Sequence, residues 1–235
     1  MSDVTPCKID FTVGGKGGVG KTEFVKNLCD ACVAKHLDIQ LIDCDDETST
    51  LTRFHSEARF IPIRSPLEID RVVQIALEER PQVLAVDLPA RAGEEFQAWF
   101  SLVPFDDLRA MGVTFTAVGV VAASKDSIEC ILRWRDFLRG QVDWVIALNR
   151  RDDLSLYLGS NARKSMLSEG ISEIEMPKLD ERIVAELDRA NWTISRALSA
   201  TEPCYLTQLM TRSRLRRYQD AMFTQFDQKN LNLFP

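Results

Sequence analysis

The chain contains 235 residues, of which 29 are Lys or Arg and 35 are Asp or Glu, so its formal net charge at pH 7 is −6. This length favours one large domain with a buried core over two full domains. The negative charge excludes a uniformly basic nucleic-acid-binding protein, and no apolar run reaches the roughly 20 residues of a membrane span. Because the N-terminus has no signal-peptide pattern and the six cysteines are scattered, we expect a cytoplasmic protein with reduced thiols.

A glycine-rich segment, GGKGGVGKT at residues 14–22, has the spacing of a P-loop. Its glycines allow backbone N–H groups to turn inward around phosphate oxygens, while Lys21 can reach the β/γ-phosphates and the Thr22 hydroxyl can ligate Mg²⁺. The alternating segment 8–13 predicts a strand before the loop, and the helical spacing of apolar residues in 25–33 predicts a helix after it. The predicted nucleotide-phosphate site comprises Gly15, Lys16, Gly17, Gly18, Val19, Gly20, Lys21 and Thr22.

A second lysine, Lys16, lies near the start of the same loop, and the string KGGVGKT resembles the deviant Walker A signature of the ParA/MinD family of ATPases. The resemblance implies a homodimer that encloses ATP, in which Lys16 reaches the partner's phosphates. A cation at that position would neutralise charge on the transferred γ-phosphoryl group, as an arginine finger does. The alternative is that Lys16 is a solvated loop charge.

A short apolar run at 39–42 predicts a second strand, and Asp43, Asp45 and Asp46 follow it. Carboxylates at the end of a parallel strand lie beside the phosphate site. The resemblance implies that Asp43 supports the Mg²⁺ shell and that Asp45 orients the attacking water. The family often continues with Pro-Gln, whereas this chain has Asp46-Glu47, so either Asp45 or Asp46 could be the catalytic acid. A solvated acidic turn is the remaining alternative.

The apolar run 83–86 is followed by Asp87, which is the Walker B arrangement. Such a carboxylate holds Mg²⁺ through its outer shell or accepts from Mg²⁺-bound water. We therefore predict a metal site made by Thr22, Asp43 and Asp87.

Two further predicted strands, 142–148 and 171–176, end at Asn149 and Pro177. The resemblance implies that Asn149 hydrogen-bonds the nucleotide base and that the loop at Pro177 lies against it. An amide offers the donor and the acceptor that adenine recognition requires. An Asx turn at Asn149 is the alternative, and GTP in place of ATP stays open.

The C-terminal part predicts helices at 190–198 and 205–226, with a C-terminal helical segment assigned to 203–228. An apolar stripe on the last helix is accompanied by four cations in six residues. The stripe could simply dock the helix, the cations could contact DNA phosphates, or the helix could lie on a membrane, which the nearby acids Asp220 and Asp227 disfavour. The candidate DNA-binding residues are Arg212, Arg214, Arg216 and Arg217.

These patterns predict a single doubly wound α/β domain over residues 1–235, with a mostly parallel sheet flanked by helices and the P-loop at its switch point. Cys29 and Cys32 are expected in the core of the first helix rather than at a metal. The segments 192–198 and 210–215 look like the tail of small ParA-like ATPases from conjugative-transfer and plasmid-maintenance operons.

The resemblance implies an Mg²⁺- and ATP-dependent dimerising ATPase that acts as a slow switch for partition or positioning of plasmid DNA or a protein cargo. Non-specific DNA binding with ATP and a partner protein that stimulates hydrolysis belong to this expectation. The alternatives are a membrane-associated positioning ATPase, a metabolic ATP-dependent ligase, a metallocentre-maturation ATPase and a nucleotide-binding module with negligible turnover.

Overall fold

A computed structural model describes residues 5–46, 49–90 and 93–235. Strands and helices alternate along the chain, and parallel neighbours form because each crossover is long enough to hold a helix. The strands are β1 (Cys7–Val13), β2 (Ile39–Asp43), β3 (Arg59–Phe60), β4 (Val83–Asp87), β5 (Val113–Val121), β6 (Asp143–Asn149) and β7 (Ser172–Met176). They form one seven-stranded sheet in the order β3-β2-β4-β1-β5-β6-β7, with every pair parallel. The predicted α/β fold class is confirmed.

The helices lie on both sides of this sheet, and several short ones were not expected from the sequence. They are α1 (Lys21–Ala34), α2 (Thr50–Phe54), α3 (Pro66–Glu78), α4 (Gly93–Phe100), α5 (Phe105–Ala110), α6 (Lys125–Phe137), α7 (Ser155–Leu158), α8 (Asn161–Ser168), α9 (Glu181–Ala190), α10 (Ile194–Ser199) and α11 (Leu209–Phe226). Two 3-10 turns occupy Tyr205–Thr207 and Lys229–Leu231. None of the helices in the described ranges is long and apolar enough to cross a membrane.

The position of β1 determines where the site forms. From β1 the chain runs to one edge of the sheet through β2 and β3, and β5 to β7 then fill the other side. The carboxyl ends of the parallel strands therefore meet at one edge, and the P-loop leaves β1 near the point where the strand order reverses.

Helices cover both faces of the sheet, so all seven residues of β1 are buried. One core cluster joins α1, α10 and α11 to the sheet, and a second joins α3, α4 and α5 to the opposite face. A third packs α6, α7 and α8 against β5 and β6. Cys29 and Cys32 are buried free cysteines in the first cluster, as expected, and burial raises the pKa of the Cys29 thiol to about 12. Val33, at the far end of α1, is instead 61% exposed.

The predicted helix at 190–198 is wrong at its start. Ala190 is the last residue of α9, and Asn191 has φ 51°, a left-handed conformation that ends the helix. Thr193 then begins a new helix, because its side chain accepts a hydrogen bond from the Arg196 N–H.

The predicted helix at 205–226 and the helical segment assigned to 203–228 are too long. Residues 205–207 form a separate 3-10 turn, and the extended backbone of Gln208 (ψ 143°) separates that turn from α11. The apolar stripe does dock this helix on the domain. Its buried members are Leu215, Tyr218, Met222 and Phe226.

Candidate functional site

The glycine loop between β1 and α1 has a backbone that only glycine adopts easily at two positions. Gly18 has φ 73° and Gly20 has φ 108°, both in the left-handed region. A Cβ on Gly20 would lie 2.5 Å from Nδ2 of Asn149, so the loop also packs too closely for a side chain there. Gly20 is the N-cap of α1, so the positive end of the helix dipole faces the loop.

Lys21 is the first residue of α1 and is 7% exposed. Burial lowers the pKa of its ammonium group, whereas the charges of Asp87 and Asp45 raise it. A buried cation flanked by carboxylates, in a cavity lined by glycines, is suited to bind an anion.

Thr22 and Asp87 are in direct contact. The Thr22 hydroxyl donates to Oδ2 of Asp87 at 2.5 Å, and Oδ1 of the same carboxylate accepts from the Thr12 hydroxyl at 3.1 Å. Burial raises the pKa of Asp87 to about 6, although the hydrogen bond from Thr22 and the charge of Lys21 act in the opposite direction. The strand β4 thus delivers its terminal carboxylate to the first turn of α1.

These two side chains suit an Mg²⁺ site of the type in which the protein supplies one or two oxygen ligands and phosphates and water supply the others. Thr22 supplies a hydroxyl and Asp87 a carboxylate, both hard oxygen ligands. In the ranges 5–46, 49–90 and 93–235, no group of three or more His, Cys, Asp or Glu side chains is arranged to hold a metal ion.

Asp43 lies level with Asp87 on the neighbouring strand and is completely buried. Its Oδ1 accepts from the Asp45 N–H at 3.1 Å, and its Oδ2 accepts from the Thr52 N–H at 3.0 Å. Burial raises the pKa of Asp43 and these backbone donors lower it. In this structure Asp43 therefore shapes the turn after β2, and its role in the Mg²⁺ shell stays a prediction.

That turn places Asp45 on the wall of the cavity beside the glycine loop, here called the main cavity, whereas Asp46 is exposed. Of the two candidate acids, Asp45 thus lies on the same cavity wall as Lys21 and Thr22. Glu47, where the chain departs from the family pattern, lies outside the described residues. The role of Asp45 as the residue that orients water stays a prediction.

Lys16 lies at the rim of the loop and faces solvent. Its side chain is 51% exposed, and Nζ lies 3.9 Å from Oδ2 of Asp126 at the start of α6. Gly15, the preceding residue, packs against α6, where a Cβ would lie 3.0 Å from Cβ of Cys130. The two lysines of the motif therefore have different environments, one buried among carboxylates and one on the surface.

Asn149 ends β6 directly against the glycine loop. Its Nδ2 donates to the Val19 carbonyl at 2.9 Å, and its Oδ1 accepts from the Arg151 N–H at 3.1 Å, which is the hydrogen bond of an Asx turn. One amide N–H and one acceptor lone pair remain for a ligand. Pro177 follows β7 and lines the same cavity, which has a volume of about 660 Å³. The base contacts of Asn149 and Pro177 stay predictions.

Sequence reasoning missed Arg151, because it lies in a connection without periodicity. Its guanidinium donates to the Gly18 carbonyl, so it also touches the glycine loop. The available signal was its position two residues after a strand-end asparagine. A second missed group joins α1 to α2. Nζ of Lys26 is 2.7 Å from the Glu23 carboxylate, on the same helix, and 3.8 Å from the centre of the Phe54 ring.

The four arginines of α11 are not equivalent. Arg212 is half-buried and donates to the Ala200 carbonyl, which ties it to the fold. Arg214, Arg216 and Arg217 are exposed and form no ion pair with any residue that the structure describes.

Only one residue of α11, Tyr218, lines the main cavity. The Tyr218 hydroxyl accepts from Nδ2 of Asn27 at 3.2 Å, and that nitrogen also donates to the Glu23 carbonyl at 2.8 Å. A side chain of α1 therefore joins the first turn of that helix to the middle of α11.

The comparison with family models gives one match. Residues 11–187 match the CbiA model, described as the CobQ/CobB/MinD/ParA nucleotide binding domain. A search of curated protein sequences gave no match.

Solved structures with the same fold include cell division proteins. MinD of Aquifex aeolicus has a TM-score of 0.57 at 15% identity, covering 92% of this chain and 97% of that chain. The MinC:MinD complex of the same organism has a TM-score of 0.59 at 14% identity, covering 92% and 96%. MinD of Pyrococcus furiosus has a TM-score of 0.55 at 14% identity, covering 92% and 98%. At these identities the likeness shows a shared fold.

Proposed function

The chain belongs to the CobQ/CobB/MinD/ParA family of nucleotide-binding domains, and from this premise we propose that it is an Mg²⁺-dependent ATPase that dimerises with ATP and acts as a slow switch. Its proposed cargo is plasmid DNA or a protein that must be partitioned or positioned, with conjugative transfer as one such setting. The observation that carries the proposal is the group formed by buried Lys21 and the 2.5 Å Thr22–Asp87 hydrogen bond beside the glycine loop.

In the proposed reaction the protein contributes position and charge, because phosphoryl transfer needs little covalent chemistry from side chains. The loop N–H groups and Lys21 would hold the phosphates. Thr22, Asp43 and Asp87 would form the Mg²⁺ site. Bound Mg²⁺ would neutralise charge on the β- and γ-phosphate oxygens. Asp45, on the cavity wall, orients the attacking water, and Asp43 holds the turn that carries it.

The exposed position of Lys16 supports the dimer. An exposed side chain on the phosphate loop can reach a second copy placed against that surface. Its 3.9 Å contact with Asp126 costs little to break, because exposed ion pairs contribute about 0–1 kcal/mol. In the proposed dimer each Lys16 completes the phosphate site of the partner.

The exposed arginines of α11 support the DNA-binding part of the proposal. Arg214, Arg216 and Arg217 leave three cations available to phosphates on a chain whose net charge is −6. Contacts of this kind are independent of base sequence and weaken as salt rises.

The dimer is tested by sedimentation velocity with ATP. We expect the wild type to dimerise, Lys16→Ala to stay monomeric while it still binds nucleotide, and Lys125→Ala to behave as the wild type. Lys125 is a matched control, because it is an exposed lysine on the neighbouring helix α6. A Lys16→Ala protein that dimerises normally would contradict the assigned role.

The switch is tested by binding of non-specific duplex DNA with ATP, ADP or no nucleotide, with Asp45→Ala to retain ATP. We expect binding only with ATP, and a triple Gln variant of Arg214, Arg216 and Arg217 should weaken it and flatten its salt dependence. A control triple variant replaces three exposed arginines elsewhere, namely Arg64, Arg71 and Arg139. Absence of binding in every state would contradict DNA as the cargo, and vesicle sedimentation would then test the membrane alternative.

A further inference from the structure

Two successive carbonyl groups of the glycine loop are held by side chains from one turn. The Gly18 carbonyl accepts from the Arg151 guanidinium, and the Val19 carbonyl accepts from Nδ2 of Asn149 at 2.9 Å. Asn149 is the last residue of β6, and Arg151 lies two residues beyond it. Arg151 is further tied to this turn by its own N–H, which donates to Oδ1 of Asn149 at 3.1 Å.

These contacts also determine where the next two N–H groups point. In a planar trans peptide, the carbonyl of one residue and the N–H of the next point in opposite directions. Holding the Gly18 and Val19 carbonyls against the β6 turn therefore directs the N–H groups of Val19 and Gly20 to the other side of the loop. Neither N–H donates to another backbone carbonyl within the described ranges.

A loop with several N–H groups aimed at one point is costly without an anion, because the parallel dipoles repel each other. Gly18 and Gly20 have no Cβ, so little in the loop itself opposes rotation of these peptides away from their left-handed conformations. Donors that bind the carbonyls oppose this rotation and keep the N–H groups in the orientation that binds phosphate.

Arg151 is poorly explained by folding alone. Its side chain is 48% exposed, and its contact with Asp152 is long, at 3.9 Å between Nε and Oδ1. The neighbouring Arg150 differs, because it pairs with Glu175 on β7 and makes no contact with the loop. The two adjacent arginines thus offer a direct comparison between a loop contact and an ordinary surface ion pair.

We propose that Arg151 is a positioning residue of the phosphate site, which holds the Gly18 carbonyl and thereby preorganises the Val19 N–H for phosphate. The inference rests on the proposed nucleotide binding. The contact is to a neutral carbonyl, so a lysine in the same place retains a donor for it, whereas a methionine of similar length has none.

The test measures equilibrium binding of ADP, ATP and adenosine to the wild type, Arg151→Met, Arg151→Lys and Arg150→Met. We expect Arg151→Met to weaken ADP and ATP binding by about tenfold each, and Arg151→Lys to restore binding to within about threefold of the wild type. Adenosine has no phosphate, so its binding should be the same in all four proteins. Arg150→Met should bind all three ligands as the wild type does.

Equal ADP affinity in Arg151→Met and the wild type would overturn the proposal. A loss confined to ATP would also overturn it, because the guanidinium would then act on the γ-phosphate itself. So would a failure of Arg151→Lys to restore binding, or a fall in thermal stability without nucleotide that accounts for the loss.

Amide hydrogen exchange in the nucleotide-free protein separates this proposal from the proposed function. We expect faster exchange at Val19 and Gly20 in Arg151→Met than in Arg150→Met, and equal exchange would overturn the role of Arg151. A wild type that binds neither ADP nor ATP would instead overturn the proposed function and leave the exchange result to decide on Arg151.

Discussion

Two buried carboxylates on adjacent central strands have opposite environments. Asp87, at the end of β4, accepts hydrogen bonds from two threonine hydroxyls, whereas neither carboxylate oxygen of Asp10, in the middle of β1, has a partner among the described residues. The two side chains are on the same face of the sheet, since Thr12 contacts Asp87 and lies two residues after Asp10. Two equally buried carboxyl groups of this core therefore differ in their hydrogen bonding, because hydroxyl groups donate to only one of them.

The same difference applies to ionisation. Burial raises the pKa of both groups, to about 6 for Asp87 and well above the ordinary value for Asp10. The charge of Lys8 and the hydroxyl of Thr116 lower the pKa of Asp10. However, Lys8 makes its 2.9 Å ion pair with Asp143. The Thr116 hydroxyl donates to the Asn232 carbonyl at 2.7 Å. The pKa of Asp87 thus lies near neutral pH, whereas burial raises the pKa of Asp10 well above its ordinary value.

The largest effect is expected from removal of the charge of the partnered carboxylate. Asp87→Asn should reduce the gain in nucleotide affinity that Mg²⁺ provides by about a hundredfold, because a charged hydrogen-bonding group is worth up to about 3 kcal/mol. Titration calorimetry of ADP and ATP with Mg²⁺ and with a chelator measures this gain. The affinity with the chelator serves as the control and should change little; an unchanged Mg²⁺ dependence would refute the assignment of Asp87 to the metal.

The unpartnered carboxylate should behave in the opposite way. Asp10→Val is expected to raise the free energy of unfolding at pH 8 by about 2 kcal/mol, because a buried polar group without hydrogen bonds is replaced by an apolar one of similar size. Denaturant unfolding measures the change, and nucleotide affinity should stay as in the wild type. A lower unfolding free energy for Asp10→Val would show that Asp10 stabilises the core.

The advantage of Asp10→Val should also depend on pH. Because the folded-state pKa of Asp10 is raised, its contribution to stability is fully present below the unfolded value, near 3.8, and is lost as pH rises through the folded value. The difference in unfolding free energy between Asp10→Val and the wild type should therefore grow with pH. A difference that shrinks with pH would contradict the raised pKa.

The smallest effect concerns the pH dependence of the metal site. Since the pKa of Asp87 is about 6, lowering the pH below that value protonates the carboxyl group, and Mg²⁺-dependent nucleotide affinity should fall by up to about tenfold per pH unit. Affinity measured between pH 5 and pH 8 tests this, with Asp87→Asn expected to show only the smaller pH dependence that titration of the nucleotide's own terminal phosphate causes in both proteins. Parallel curves for the two proteins would assign the pH dependence to another group.

The phosphate side of the site could be predicted because its elements are local in sequence. Residues 14–22 are consecutive, and the carboxylates Asp43 and Asp87 directly follow apolar runs that form adjacent strands. The hydrogen bonds of Asp43 could not be predicted. They depend on the turn after β2 and on Thr52, whose position no periodicity specifies.

The C-terminal half was less predictable for two physical reasons. Helix breaks at Asn191 and Gln208 depend on single backbone conformations, which apolar spacing does not reveal. Exposed arginines such as Arg214 have no packing constraint, so the same sequence suits a solvated face and a DNA-binding one. Arg151 shows the further case of a loop residue whose contact arises only when two distant segments meet.

The hydrogen bond between Asn27 and Tyr218 connects the glycine-loop end of α1 to α11. One amide nitrogen bonds both the Glu23 carbonyl, in the first turn of α1, and the Tyr218 hydroxyl, in the middle of α11. The Asn27 side chain therefore connects the start of α1, directly after the glycine loop, to the helix that carries the exposed arginines. A shift of that first turn would therefore alter a contact with α11 that a buried side chain makes directly, with no linker between the two helices.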